Sequence, residues 1–132
     1  MSYRIGIGTT RVADPSEIRF TDHGRESAVP VVIDAAARDA DNSPTTTLRK
    51  GLVLGKITES GKYKEYDPSA VDGSATARVI LDDQVDLLDE SGSPADTEAL
   101  GAFRGDFIAA ALIGLDAGAK ADLTQCAFDE DL

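Results

Sequence analysis

The fold is decided by residues 48–81, LRKGLVLGKITESGKYKEYDPSAVDGSATARVIL, where short apolar runs alternate with glycine turns. The apolar runs lie at 52–57, 63–66 and 77–81, and the turns lie at Ser60-Gly61 and Asp72-Gly73. Runs of this length bounded by such turn pairs are typical of β-strands joined by tight turns. The stretch therefore predicts a compact β-module, and none of its residues is placed to activate a nucleophile or to hold a metal.

The length and the composition bound the class of protein. A chain of 132 residues has room for one ordinary domain plus an arm. It contains no apolar run near the roughly 20 residues that span a bilayer, and its N-terminus lacks the apolar core of a secretory signal. Cys126 is the only cysteine, so no internal disulfide is expected, and synthesis in the cytosol fits best.

The net charge of −11 is unevenly distributed along the chain. Residues 1–66 carry 10 basic and 9 acidic side chains, whereas residues 67–132 carry 3 basic and 15 acidic side chains. Nucleic-acid binding needs clustered lysine and arginine, so the second half argues against it. The acidic half is either an ordinary solvated surface or one face of a polarised molecule whose near-neutral face docks on a partner, and these interpretations are compatible.

Residues 1–47 lack the pattern of a compact core. Three short extended pieces, at 3–7, 17–20 and 29–33, are separated by breaks, and Pro30 suits an edge strand because it has no N–H to donate. Such a segment is typical of an arm that gains order on a partner. The alternative, three ordinary strands of a single domain, stays open. We predict an N-terminal arm and linker at 1–47 and a β-rich domain at 48–132.

The remainder of that domain is predicted to contain further strands and one helix. Residues 98–103 favour a strand, and Leu123, Cys126 and Phe128 favour a closing strand. The apolar residues of 105–115 recur at helical spacing behind Asp106, a possible N-cap, so this is the one convincing helix. The predicted fold class is therefore mainly β with one short helix.

Few residues are candidates for chemistry. His23, the sole histidine, lies in a turn-like Asp-His-Gly context, and a solvated loop residue is the simpler interpretation. Cys126 lies among apolar and acidic neighbours, which raise a thiol pKa, so we expect a small core residue. The carboxylates at 82–90 fail the EF-hand pattern, because position 12 would be Ser93; a looser cation site stays open, and a charged strand edge is favoured.

Two further motifs are weak. Arg104-Gly105-Asp106 spells an integrin-recognition tripeptide, but it leads directly into the predicted helix, and we interpret it as coincidence. The run from Gly51 to Ile57 has only three residues between its glycines, and an isoleucine stands where a phosphate loop needs serine or threonine. A standard nucleotide site is therefore not expected.

The order of glycine and apolar positions resembles the lambda-type head decoration proteins of tailed bacteriophages. The resemblance covers about residues 45–130, and residues 1–44 depart from it most. The residues that carry it are Leu48, Gly51, Val53, Leu54, Gly55, Lys56, Ile57, Gly61, Lys62, Tyr63, Tyr66, Asp72, Gly73, Ile80, Leu81 and 103–107.

The resemblance implies a capsid-stabilising, structural protein that is not an enzyme and needs no cofactor or metal. Such proteins form a small β-barrel or β-tulip and bind the outside of the expanded head as homotrimers at three-fold sites, where they oppose the internal DNA pressure. The implied partner is the major capsid protein, with no nucleic acid and no membrane. The protein would be made in the bacterial host cytoplasm and would reside on the outer surface of the virion.

The resemblance also assigns capsid binding to the N-terminal arm. If the alternating residues of the arm add a strand to a capsid sheet, main-chain hydrogen bonds provide affinity and the side chains provide fit. The predicted capsid-binding residues are Tyr3, Arg4, Ile5, Ile7, Arg11, Ile18 and Phe20.

The alternative function is a receptor- or glycan-binding module on the virion surface. The chain has three tyrosines, four phenylalanines and no tryptophan, so an aromatic platform for sugars would be thin. An enzyme whose site is assembled between subunits has no positive indication in the sequence.

Overall fold

In the computed structural model of the chain, residues 17–21 and 27–130 are described. The strands are β1 Val29–Ile33, β2 Thr47–Leu48, β3 Val53–Lys56, β4 Tyr63–Glu65, β5 Ala77–Leu81, β6 Val85–Asp86, β7 Thr97–Ala102, β8 Gly105–Ile108 and β9 Cys126–Asp129. A 3₁₀ turn occupies Ala109–Ala111, and one short helix, α1, occupies Ala117–Asp122. The described residues are therefore mainly β, as the sequence predicted.

Five of these strands close into a barrel in the order β1-β4-β3-β5-β7. Strands β3, β4 and β5 come from the glycine-punctuated stretch, and their predicted positions are confirmed. Strand β7 confirms the strand predicted at 98–103. Strands β3 and β5 are antiparallel neighbours, and Gly55 at their bulge allows close packing, since a Cβ there would lie 2.6 Å from the Cα of Ser74. The predicted small barrel is therefore present.

Strand β1 completes the barrel. It pairs antiparallel with β7 from Val29↔Gly101 to Ile33↔Thr97, whereas its pairing with β4 is described only at Ile33↔Tyr63. Pro30 accordingly borders a single strand, as its missing N–H requires. For residues 29–33 the structure thus shows the alternative kept open above, an ordinary strand of the domain. The division at residue 47 stays a prediction for the rest of the segment.

The core has two parts that share strands β3 and β5. Leu54 and Val79 face the first cluster, while their neighbours Val53 and Ile80 face the second, so the strand pair is buried on both sides. Full burial on both faces explains why these strands are almost continuously apolar instead of alternating. The first cluster comprises Val31, Ile33, Ala37, Leu48, Leu52, Leu54, Val79, Leu81, Val85 and Leu87.

The second cluster packs a small layer of chain against the barrel. It comprises Ile18, Val53, Ala77, Ile80, Ala102, Phe107, Leu112, Ala119 and Leu123. Within this layer β8 pairs in parallel with β9, and the rings of Phe107 and Phe128 lie 6.4 Å apart. Strand β9 confirms the closing strand predicted around Cys126 and Phe128.

The helix predicted at 105–115 is wrong. Residues 105–108 form strand β8, whose burial alternates with the period of two that a strand requires. The backbone partners of β8 are distant in sequence: β9 on one side and residues 18–20 on the other. The local spacing of apolar residues resembled that of a helix, because a local pattern contains no information about strand partners that are distant in sequence. The actual helix, α1, begins after Asp116, whose Oδ1 accepts the backbone N–H of Ala119 at 2.7 Å.

Candidate functional site

Residues 17–21 run beside β8 and are attached to it by one isolated antiparallel bridge and flanking backbone hydrogen bonds. Arg19 forms an antiparallel bridge with Phe107. The N–H of Phe20 donates to the carbonyl of Asp106 at 3.1 Å, and the N–H of Ile108 donates to the carbonyl of Ile18 at 2.8 Å. This attached segment is the first stretch of the chain that the structure describes, so it fixes the position of residue 17, to which residues 1–16 are joined.

The Arg19 side chain anchors the attached segment inside the protein. Its Nη2 lies 3.2 Å from Oδ2 of Asp82, and the two side chains are only 1% and 9% exposed. The guanidinium carbon also lies 4.9 Å from the ring centroid of Phe107, which is a favourable cation–π distance. Removing one partner of a buried pair leaves a buried charge without compensation, so this anchor is expected to matter for stability.

The Arg19–Asp82 pair is incompletely hydrogen-bonded. Among the described residues, Nε and Nη1 of Arg19 and Oδ1 of Asp82 are buried and have no hydrogen-bond partner. Buried polar atoms without partners are costly, and most proteins contain few of them. The Arg19–Asp82 pair therefore holds residues 17–21 on the domain, although its guanidinium and carboxylate do not make all the hydrogen bonds available to them.

The predicted capsid-binding residues fall into two groups. Tyr3, Arg4, Ile5, Ile7 and Arg11 lie outside the described residues. Ile18 is 2% exposed and belongs to the second core cluster, whereas Phe20 is 40% exposed. The contacts of Ile18 are therefore internal, and among the described positions it is Phe20 that offers an apolar surface to a partner. The sequence pattern assigned both residues to one role, because alternation does not show which face of a short strand packs on its own domain.

Of the two candidates for chemistry, Cys126 packs against the second core cluster and His23 lies outside the described residues. Burial raises the pKa of the Cys126 thiol to about 11, so at neutral pH the sulfur stays protonated. Its Sγ lies 3.5 Å from the carbonyl oxygen of Phe103, and the side chain packs against the second core cluster. The expected rise in the thiol pKa is confirmed, and the side chain lies partly buried at the edge of the core instead of inside it.

Within the acidic residues at 82–90, Asp82 binds a distant arginine, whereas Asp86 and Asp89 accept hydrogen bonds from their own segment. Asp82 pairs with Arg19, and Asp86 Oδ1 accepts the N–H of Leu88 at 3.0 Å. Asp89 Oδ1 accepts the Ser91 hydroxyl at 2.6 Å, and that hydrogen bond, with those from nearby backbone N–H groups, lowers the pKa of Asp89. In the part of the chain that the structure describes, no three His, Cys, Asp or Glu side chains are grouped to hold a metal ion.

Two further findings concern the remaining motifs. Gly105 of the Arg-Gly-Asp tripeptide is buried at the start of β8, and Asp106 accepts the hydroxyl of Thr21 at 2.6 Å. Gly105 and Asp106 therefore lie in a strand, with Arg104 directly before it, and the tripeptide is not at a loop tip. Over residues 17–21 and 27–130, no helix has the length and apolar character needed to cross a bilayer.

These observations define the class of protein as a small structural β-barrel. The polar contacts described above join segments of its own chain, such as the Arg19–Asp82 pair that holds residues 17–21 on the domain. The chain matches the family model of the bacteriophage lambda head decoration protein D over residues 9–130. It therefore belongs to this family, as its sequence motifs predicted. No curated protein sequence matches the chain.

Family membership establishes the general role. The chain is a viral structural protein that decorates the head of a bacteriophage, and it is associated with the outside of the capsid. A head decoration family is structural, which implies a protein that is not an enzyme. The matched range includes the attached segment at 17–21, so the anchor lies within the family domain.

Proposed function

We propose that the protein binds the expanded head as a homotrimer at three-fold sites and stabilises the shell against the pressure of the packaged DNA. The observation that carries the proposal is the family match, which spans nearly the whole chain. The partner is the major capsid protein, and contact with it is made by the segment that precedes the anchor, together with Phe20.

The anchor explains how such a segment would work. Because Arg19 is buried against Asp82 and Phe107, the chain leaves the domain at a defined place. Sixteen extended residues reach at most about 55 Å from that place, far enough to cross a boundary between capsid subunits. Tyr3, Ile5 and Ile7 alternate with Arg4 and glycines, the pattern that suits strand addition to a sheet edge.

Trimerisation and selectivity for the expanded shell supply the stabilisation. Three linked segments bind with higher effective concentration than one, so modest single contacts give firm attachment. A protein that binds the expanded shell and not the unexpanded one stabilises the expanded state by mass action. The acidic second half of the chain then remains in water and keeps the particle surface soluble.

Deletion of residues 1–16 tests the role of the segment. The cut precedes Glu17, so it spares Ile18 and Arg19, and we expect an unchanged urea midpoint together with loss of capsid binding in a pelleting assay. Deletion of residues 1–20 is the matched comparison. It also removes the anchor and Ile18 from the second core cluster, so it lowers the urea midpoint as well. Undiminished pelleting of the protein that lacks residues 1–16 would contradict the proposal.

A further inference from the structure

One exposed loop presents an apolar side chain to solvent. Residues 67–74 connect β4 to β5, and within this loop, named here the Val71 loop, Val71 is completely exposed with a relative exposure of 102%. The other large hydrophobic residues classed as exposed reach no more than 44%. The Val71 side chain therefore makes little apolar contact within its own chain, and its whole surface is accessible to a partner.

The Val71 loop is held rigidly by its own side chains. Asp67 Oδ1 accepts the N–H and the hydroxyl of Ser69 at 3.0 and 2.8 Å. Asp72 Oδ1 accepts the N–H and the hydroxyl of Ser74 at 3.0 and 2.6 Å. An apolar side chain on a loop that is already ordered loses little conformational entropy when it is buried by a partner.

The base of the loop is fixed against β3 as well. The N–H of Thr58 donates to the carbonyl of Asp72 at 2.8 Å. Gly73 has a φ of +108°, and a Cβ at this position would lie 2.3 Å from Oγ1 of Thr58. The loop therefore packs tightly beneath Val71 and leaves only its tip projecting.

Whereas the Val71 loop carries carboxylates, a groove with cationic side chains lies on another part of the surface. Its volume is about 380 Å³, and we name it the basic groove. The described residues that line it are the apolar Ile18, Ala110, Ala111, Leu112 and Ile113 and the polar Arg49, Lys50 and Gln84. Small and branched apolar side chains beside the cation of Lys50 form a site for an apolar group that carries negative charge next to it.

The charges around the two features are complementary. Glu59 lies beside Val71, where both line the same depression, whereas Lys50 lies at the basic groove. Oδ2 of Asp72 lies 3.8 Å from Nζ of Lys64, and Nε of Arg49 lies 2.8 Å from Oδ2 of Asp39. These four charges are therefore already paired within the chain. Among the described residues, neither Glu59 nor Lys50 has an ion-pair partner, which leaves them available to each other.

The two features adjoin opposite ends of β3 in the same molecule. The basic groove adjoins the start of β3, where the N–H of Val53 donates to the carbonyl of Ile113 at 3.0 Å. The Val71 loop adjoins the other end of β3 through Thr58. Strand β3 itself, Val53–Lys56, spans roughly 10 Å and holds the groove and the loop apart at its two ends. Docking of the loop into the groove therefore requires a second copy and produces a head-to-tail contact, the kind that builds a ring when the rotation closes.

We propose that Val71 of one copy inserts into the basic groove of the next copy, with Glu59 opposite Lys50, and that this contact joins the subunits of the trimer. The inference rests on the proposed trimer and specifies its interface. The partner is a second copy of this chain, because the chain itself carries both complementary surfaces.

A charge-exchange series tests the contact by sedimentation equilibrium of the full chain. We expect Lys50→Glu and Glu59→Lys each to weaken self-association, and the double variant Lys50→Glu with Glu59→Lys to recover most of it, because the pair is restored with exchanged signs. Val71→Asp is expected to weaken association about tenfold or more, since a charge replaces a buried valine. Leu88→Asp, at another exposed apolar position, is the matched control and is expected to change association little.

Cross-linking gives the geometry. In a Cys126→Ser background, Val71→Cys combined with Ala110→Cys is expected to form intermolecular disulfides that stop at a trimer on a non-reducing gel. Leu88→Cys combined with Ala110→Cys is the control, and we expect no trimer band. An open ladder of higher species would contradict a closed ring, and the absence of any Val71-dependent cross-link would contradict the contact itself.

The outcomes separate this inference from the proposed function. A wild-type trimer that Val71→Asp and the charge exchanges leave intact would refute the interface while the trimer remains. A wild-type protein that is monomeric at every concentration and forms no Val71-dependent cross-link would refute the interface as well. Val71→Asp that stays trimeric but no longer pellets with capsids would assign the loop to the capsid and overturn the proposal.

Discussion

Two buried aspartates in this protein are paired with arginines in different ways. Asp39 receives Arg49 Nε and Nη2 at 2.8 and 2.9 Å, and the backbone N–H of Arg49 adds a third hydrogen bond at 3.1 Å. Asp82 receives a single bond from Arg19 at 3.2 Å, and three polar atoms of that pair have no partner among the described residues. The first pair is bidentate and complete; the second is buried and incomplete.

The difference follows from what each pair connects. The Asp39 pair spans ten residues and closes one loop, and the Arg49 side chain is 38% exposed, so water solvates its remaining donors. The Arg19 pair spans 63 residues and holds the N-terminal segment on the domain, where water is excluded. Burial makes the distant pair more consequential when it is broken, although its hydrogen bonding is poorer.

The largest effect is expected from breaking the buried pair. Arg19→Ala leaves the Asp82 carboxylate buried and uncompensated, and we expect a loss of about 3–5 kcal/mol in the free energy of unfolding from urea denaturation. Proteolysis near residues 17–21 should accelerate at the same time, because the attached segment loses its anchor. A loss below about 1 kcal/mol would show that the anchor lies in the remaining contacts of the segment.

A smaller effect is expected from the pair whose arginine is partly exposed. Arg49→Met should cost about 1–3 kcal/mol in the free energy of unfolding, because the backbone N–H of residue 49 still donates to Asp39 and the space left by the exposed Arg49 side chain is open to water. The hydrogen bonds from the Arg49 side chain hold the pKa of Asp39 below its ordinary value. The stabilisation is therefore complete at neutral pH, above the pKa of the unfolded state, and is lost as pH falls through the folded pKa.

Urea denaturation as a function of pH checks this sign. The wild type and Arg49→Met should differ most above about pH 5 and converge as the pH falls through the lowered pKa of Asp39 in the folded wild type, because the carboxyl is then protonated in both. A difference that does not depend on pH would indicate that packing of the Arg49 stem, and not its charge, is what the substitution removes.

The smallest effect is expected when both members of the buried pair are replaced together. Arg19→Met with Asp82→Leu removes the charges and the unpartnered atoms at once, so the free energy of unfolding should change by about 1 kcal/mol or less, or increase. If this double variant also keeps its capsid pelleting, the pair serves only to attach residues 17–21 to the domain. If the variant stays stable but pelleting falls, the charges of the pair also set the direction of the N-terminal segment. A double variant as unstable as Arg19→Ala would contradict the interpretation of the pair as incomplete.

The strands of the barrel were predictable from the sequence, and the use of residues 17–20 and 105–111 was not. The runs that became β3, β4 and β5 are bounded by glycine turns, a local signal that needs no knowledge of distant residues. Residues 105–111 carry apolar side chains at a spacing compatible with a helix, and what made 105–108 a strand was pairing with residues 18–20 and 126–129. Ile18 and Phe20 likewise follow one alternation in sequence, yet one is buried in the core and the other is exposed.

The sequence by itself determined the family, the β-rich class and the absence of recognisable catalytic motifs, because these depend on residue types and on spacings within short windows. The tertiary structure alone decided which carboxylate compensates Arg19, which residues of the N-terminal segment face inward, and that the exposed Val71 and the basic groove lie at opposite ends of β3. The physical reason is the same in each case. Burial, ion pairing and strand partnership are set by residues tens of positions apart, and only the folded chain brings them within contact distance.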